Sequence, residues 1–450
     1  MSGVALLPAA LAVPLCVAAA GFADYREPAR RITGAALEDG QGYARLAELC
    51  DRIGNRLSGS EALERAVEWS VAQMKSVGLE NVTKIPVKVP HWVRGRERAA
   101  IVDPLERGLT ILGIGGSVAT PKEGITAAVA VVSGFDDLEK RGRAGIQGKI
   151  VLFNAPFDGY GRTVVYRDSG PSRAARLGAV AALVRSVTPV SLQSPHTGAL
   201  DYDAGVPKIP AAAVTIEDAE LLKRLAAGGA PVRVHLEMEA HEMPEAISDD
   251  VAGEIPGSEL PGEVVVIGGH LDSWDVGQGA QDDGSGIMTA LEAASLIKKL
   301  DLRPRRTLRV VFWTNEENGG AGAKAYRDWV GGRIRDHVAA IEMDGGAERP
   351  LGFGFSGSAA ALEKLRAAAE LLEPIGAGAI QRGGGGADIA PLMRDGVPGL
   401  GLRTVGTHYF DWHHSAADTV DKVDPRDFRL NVAAMAVMAY VLAEMPQRLE

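Results

Sequence analysis

From residue 262 onward the chain repeats one pattern: a short apolar run, a polar loop, then a helical period. Apolar runs at 263–268, 307–313, 337–343 and 399–403 predict strands, and residues 285–299, 322–329, 359–372 and 425–444 predict helices. Strands alternating with helices at this spacing predict an α/β fold, a mostly parallel mixed sheet flanked by helices. In such sheets a site lies beyond the carboxyl ends of the strands. That is where this chain concentrates its polar residues: His270 with Asp272, Asp282-Asp283, Glu316-Glu317, Asp344, and His413-His414 with Asp418.

Two imidazoles and several carboxylates converging at strand ends are what two divalent cations sharing one bridging carboxylate require. His270 is expected to ligate, with Asp272 two residues on as the carboxylate that orients it. Asp282 is the expected bridge; Asp283 and Ser285 are left to cap the following helix, the ordinary use of such residues. Glu316 and Glu317 are neighbours on an extended segment and point to opposite sides, so one can ligate while the other serves as base. Asp344 follows a strand and precedes Gly345-Gly346, which lets the backbone approach closely. The 413–419 loop supplies the second imidazole, with Asp418 placed to orient it or to cap the next helix. His91, His196, His235, His241, His337 and His408 lack such company and are expected to be structural. The donor set suits zinc. Residues 276–280 lack the spacing of a dinucleotide loop.

The first half has a different texture. Residues 41–80 predict two helices around 54–60, with Ser60 capping the second, and 82–89 alternates like a strand. Residues 96–245 hold short strands (128–132, 149–154, 179–184, 211–214) and a helix at 217–226, and none of the polar landmarks. They predict an inserted β-rich domain between catalytic segments 24–95 and 246–450. Residues 244–261, acidic and punctuated by Gly and Pro, predict the return linker.

Residues 1–23 have the apolar core and small-residue end of a signal peptide, which implies export to the periplasm or outside and no stable membrane span after processing. Leu15 argues against lipid attachment at Cys16, and Cys50 alone would remain, so no intrachain disulfide is expected. A net charge of −10 argues against nucleic-acid binding.

The run 269–280, together with Asp282-Asp283-Gly284, Glu316-Glu317, Asp344 and His413-His414-Ser415, resembles the co-catalytic di-zinc exopeptidases, and the likeness extends through 194–198 and 205–210. The resemblance implies a phosphorylase/hydrolase-like catalytic core interrupted by a protease-associated domain. It implies two zinc ions per subunit: one on His270 and Asp344, the other on Glu317 and His414, with Asp282 bridging. It further implies Glu316 as general base, a cis peptide at Asp282–Asp283, homodimers, and cleavage of unblocked dipeptides or short peptides. Related aminopeptidases carry a tyrosine where this chain has Gly383–Asp388. Gly386 and its neighbours are therefore expected to pass the substrate backbone, Asp388 to receive a free α-amine, and Tyr409 or a zinc ion to act as second electrophile. Two other readings are open to such a fold: a non-catalytic receptor, and a single-zinc transferase resembling the glutaminyl cyclases. The complete donor set argues against the first, and a bridging aspartate between two histidines against the second.

Overall fold

The computed structural model describes residues 22–449. Cys16 and nearly all of the expected leader lie outside them. Among the described residues no helix is long and apolar enough to cross a membrane.

Two eight-stranded sheets organise the chain. In the first, Leu260–His270 lies at the centre, parallel to Arg306–Trp313 on one side and to His337–Glu342 on the other, with Gly399–Thr404 parallel beyond. Val265, Ile267, Val310 and Ile341 are fully buried, as expected of strands covered on both faces. The helices Ser285–Lys299 and Pro425–Glu444 have the bounds the sequence predicts. Asp424 caps the second of these, and Pro425 supplies a first residue that needs no N–H donor. The sheet is mixed at its flanks, where Pro350–Ser356 runs antiparallel to Gly399–Thr404. The strands of the second sheet all come from residues between Glu97 and Met238. Chain segments before and after it pair in the first sheet, so it is inserted topologically.

One expectation is overturned. Residues 244–261 are not a linker: His241–Ile255 is a long strand, antiparallel to Glu80–Val93 and then to Arg306–Trp313. Its first half pairs only with Glu80–Val93, where exposed Glu242 and Glu245 are solvated. Its second half enters the sheet and buries Val251, Ala252 and Ile255. Pro244 and the acidic residues obscure this pattern, because a strand on the margin of a sheet tolerates both. The helix Arg26–Glu38 and the short strand Ala379–Arg382 also go unanticipated.

Cys50 is buried and unpaired, its thiol pushed up to about 12 by burial, consistent with an inert core residue. His337 is buried against Tyr326, whose hydroxyl lies 3.1 Å from its Nε2. Burial, helped by Arg309, lowers its imidazole to about 4. The unfolded chain therefore takes up this proton first, below about pH 6.5, and stability falls as pH drops from there towards 4. The expected loss is up to roughly 3 kcal/mol. His337→Asn should flatten the urea-midpoint profile over that window, and an unchanged slope would discard this assignment.

Candidate metal centre

The polar loops after the central strands meet at one place. Leu260–His270 delivers His270, fully buried, at its carboxyl end. Its Nε2 lies 3.1 Å from Asp282 Oδ1 and 3.5 Å from Asp344 Oδ1. On the other side, His414 Nε2 lies 3.2 Å from Asp282 Oδ2 and 3.0 Å from Glu317 Oε2. Asp282 thus turns one oxygen to each imidazole. Donors bound at zinc's usual 2.0–2.1 Å in a tetrahedron stand about 3.3 Å apart, the spacing found here. Glu317 Oε1 is buried with no hydrogen-bond partner, an acceptor left for a cation. His413 stacks on His414 with ring centroids 3.5 Å apart, and its Nε2 is 3.4 Å from Asp282 Oδ2. Only His414 also reaches Glu317.

The electrostatics follow from this crowding. Burial opposes the imidazolium of His270, but Asp282 and Asp344 outweigh it and hold His270 well above its ordinary value. Glu317 and Asp282 do the same for His414. Burial, with repulsion from Asp344 and Glu317, pushes Glu316 well above the carboxylate range, and burial with Asp282 pushes Glu317 up to about 7. A buried site so rich in carboxylate needs positive charge.

Two orienting roles differ from expectation. Asp272 does not steer His270 through its carboxylate, which stands 3.8 Å away. The Asp272 main-chain carbonyl accepts from His270 Nδ1 at 3.0 Å, which leaves Nε2 free to ligate. The carboxylate instead accepts from the backbone N–H groups of Glu316 (3.0 Å) and Glu317 (3.3 Å) and so sets both glutamates. Asp418 likewise makes no hydrogen bond to His414. It accepts from the N–H groups of Ala280, Gln281 and Asp282 at 3.2, 2.7 and 3.2 Å, holding the bridging loop. The N–H groups of a loop that closes over Asp418 outcompete an imidazole for its two oxygens. Asp283 accepts from the N–H groups of His270 and Gly286. Gly269 and Gly286 are pressed against that carboxylate: a Cβ on either would come within 2.1–2.3 Å of it. The Asp282–Asp283 peptide is cis.

A cavity of about 660 Å³ opens beside the centre, lined by Glu316, Glu317 and Asp388, by Trp92, and by Tyr202 and Lys208 from a loop of the inserted segment. Asp388 is 1% exposed, and neither carboxylate oxygen has a partner. Tyr409 is buried near Asp282, Asp344 and Glu317; burial and their charges push its phenol well above the usual value. The glycines before Asp388 are closely packed. A Cβ on Gly386 would meet the Glu342 carboxyl at 2.0 Å, on Gly385 Met393 at 2.5 Å, and on Gly384 the Gly354 backbone at 2.6 Å.

Sequence reasoning passed over Arg56 and His196. Arg56 is fully buried and donates to the carbonyls of Leu271, Gln278 and Gly279. His196 Nδ1 lies 2.6 Å from the His413 carbonyl. Position gave some warning of both, Arg56 by its place between two helices and His196 by its place in the 194–198 run.

Residues 250–440 match the model of peptidase family M28. Carboxypeptidase Q of Bos taurus is 46% identical over 90% of this chain and 86% of its own length; that of Homo sapiens is 45% identical over the same shares. The crystal structure of a peptidase M28 precursor from Shewanella amazonensis SB2B superposes with a TM-score of 0.92 at 35% identity, covering 95% of this chain and 98% of that one. BSAP, a zinc aminopeptidase from Bacillus subtilis, shares the fold at a TM-score of 0.68 and 19% identity. The di-zinc exopeptidase resemblance and the α/β fold stand, and this chain belongs to peptidase family M28.

Proposed function

We propose that the protein is a co-catalytic di-zinc exopeptidase acting on unblocked dipeptides or short peptides. The observation that carries this is the division of Asp282 between two groups, His270 with Asp344 and His414 with Glu317, at distances of 3.0–3.5 Å. Two zinc ions held there supply Lewis acidity and draw the pKa of water towards 7. Glu316, which lines the cavity beside the ligand Glu317, takes the proton from the attacking water and delivers it to the leaving amine. Asp388 offers two unpartnered oxygens to the substrate's ammonium group, and the Tyr409 hydroxyl supports the oxygen that becomes negative. Asp272 and Asp418 act on backbone, fixing the glutamate pair and the bridging loop. Residues 96–245 are proposed to form a protease-associated domain, the subunit to dimerise, and the protein to be exported.

A dipeptide panel with N-acetylated and C-amidated versions, assayed with and without chelator, tests this reading. Free dipeptides should be cleaved only by metal-replete protein, and N-acetylation should abolish cleavage by removing the charge that Asp388 receives. Metal-replete protein with no chelator-sensitive hydrolysis would sink the enzyme assignment. One zinc per chain instead of two would favour the cyclase-like alternative.

A further inference from the structure

We propose that the inserted segment completes the zinc site built on His414 and Glu317, and that Arg167 is the positioning residue through which it does so. The inference rests on those two residues being ligands.

An imidazole that ligates through Nε2 needs an acceptor at Nδ1 to hold its proton and orientation. His270 finds one in its own loop, the Asp272 carbonyl. For His414 the acceptor is the Thr197 carbonyl at 3.4 Å, contributed by the inserted segment. The same segment grips the histidine loop twice more. Thr197 N–H donates to the His414 carbonyl at 2.9 Å, and His196 Nδ1 donates to the His413 carbonyl at 2.6 Å.

Arg167 stands behind this contact, 6% exposed. Its guanidinium donates from Nη1 to the Thr197 carbonyl at 3.0 Å, from Nε to the Ala199 carbonyl at 3.1 Å and from Nη2 to the Tyr160 hydroxyl at 3.1 Å. Nη1 is also 3.5 Å from His414 Nδ1. With Nε2 as the ligating nitrogen the proton sits on Nδ1, and since a guanidinium offers no acceptor, that proton goes to the Thr197 oxygen, which accepts from both. Gly198 lets the guanidinium lie flat on the main chain: φ is +137°, and a Cβ there would fall 2.0 Å from Nη1. Tyr160 closes the far side, its ring edge-on to His413 at 5.0 Å. Arg167 thus fixes a main-chain carbonyl, and that carbonyl fixes a ligand.

Zinc titration of metal-free protein against a chromophoric chelator reads this directly. Wild type should take two equivalents. Arg167→Ala should weaken one equivalent by roughly 10- to 100-fold and leave the other unchanged. Tyr160→Phe, which keeps the ring and removes one acceptor, should weaken the same equivalent less. On an Asp344→Ala background, which leaves the His414 and Glu317 site to be read alone, the Arg167→Ala loss should persist. Arg94→Ala cuts an ion pair to Asp275 and a bond to the Gly113 carbonyl at the same seam, and should leave both equivalents intact. Equal loss of both equivalents in Arg167→Ala, loss of neither, or an Arg94→Ala that behaves alike would overturn the role. A wild type that takes fewer than two equivalents overturns the assignment of the centre, and this inference with it.

Discussion

Glu316→Gln is expected to keep both zinc equivalents and to lose turnover, with kcat reduced by roughly 100- to 10,000-fold. The substitution preserves shape and the backbone N–H that Asp272 holds at 3.0 Å, so the loop should not move. What it removes is the capacity to accept and return a proton. Glu316 suits that task because it lines the cavity while its neighbour Glu317 turns to His414 at 3.0 Å. Asp272, accepting from both backbones, enforces the split. Glu317→Gln should behave differently, losing metal at the His414 site before any question of turnover arises. Zinc content and steady-state rates on one free dipeptide separate the cases. An unchanged kcat in Glu316→Gln would remove the base assignment, and loss of a zinc equivalent would make Glu316 a ligand instead.

Most of the proposed ligands were legible in the sequence because a buried parallel strand is a continuous apolar run, and whatever polar residue ends it is conspicuous. His270, Glu316-Glu317 and Asp344 announce themselves in that way, whereas Asp282 opens a helix and His414 lies on a loop beyond a short helix. Their orientation was not legible. The groups that fix both imidazoles are the carbonyls of Asp272 and Thr197, and a main-chain carbonyl leaves no mark on residue type. Carboxylates at suggestive spacings, Asp272 and Asp418, turn out to bind backbone N–H groups. The fold divides similarly. Helices with a clean start, such as Pro425–Glu444 behind Asp424, have readable bounds. His241–Ile255 does not, because its exposed acidic half is strand only by pairing with Glu80–Val93, a tertiary fact.

Arg56→Met is expected to destabilise the metal-free protein by about 3 kcal/mol, the cost of leaving buried carbonyls without their donor. The guanidinium has no solvent exposure and donates to the carbonyls of Leu271 at 2.8 Å, Gly54 at 2.7 Å, Gln278 at 2.7 Å and Gly279 at 3.0 Å. Methionine fills comparable length but leaves the Leu271, Gly54 and Gln278 carbonyls without the guanidinium, at about 1 kcal/mol or more each, while the Gly279 carbonyl still accepts from the Gly284 N–H at 3.0 Å. The carbonyls of Leu271, Gln278 and Gly279 belong to the loop joining His270 to Asp282, so the loss falls on the segment that aims both residues. Gly279 shows how closely it is packed: φ is +59°, and a Cβ would lie 2.8 Å from Arg56 Nη2. Arg56→Lys keeps the charge but has no planar fork, so it should recover only a minor part of the loss. Urea unfolding of metal-free wild type and both variants measures this without any contribution from bound zinc. Coincident midpoints would show that the loop stands without Arg56. A shift seen only in zinc-loaded protein would place Arg56's effect in the metal centre rather than in the fold beneath it.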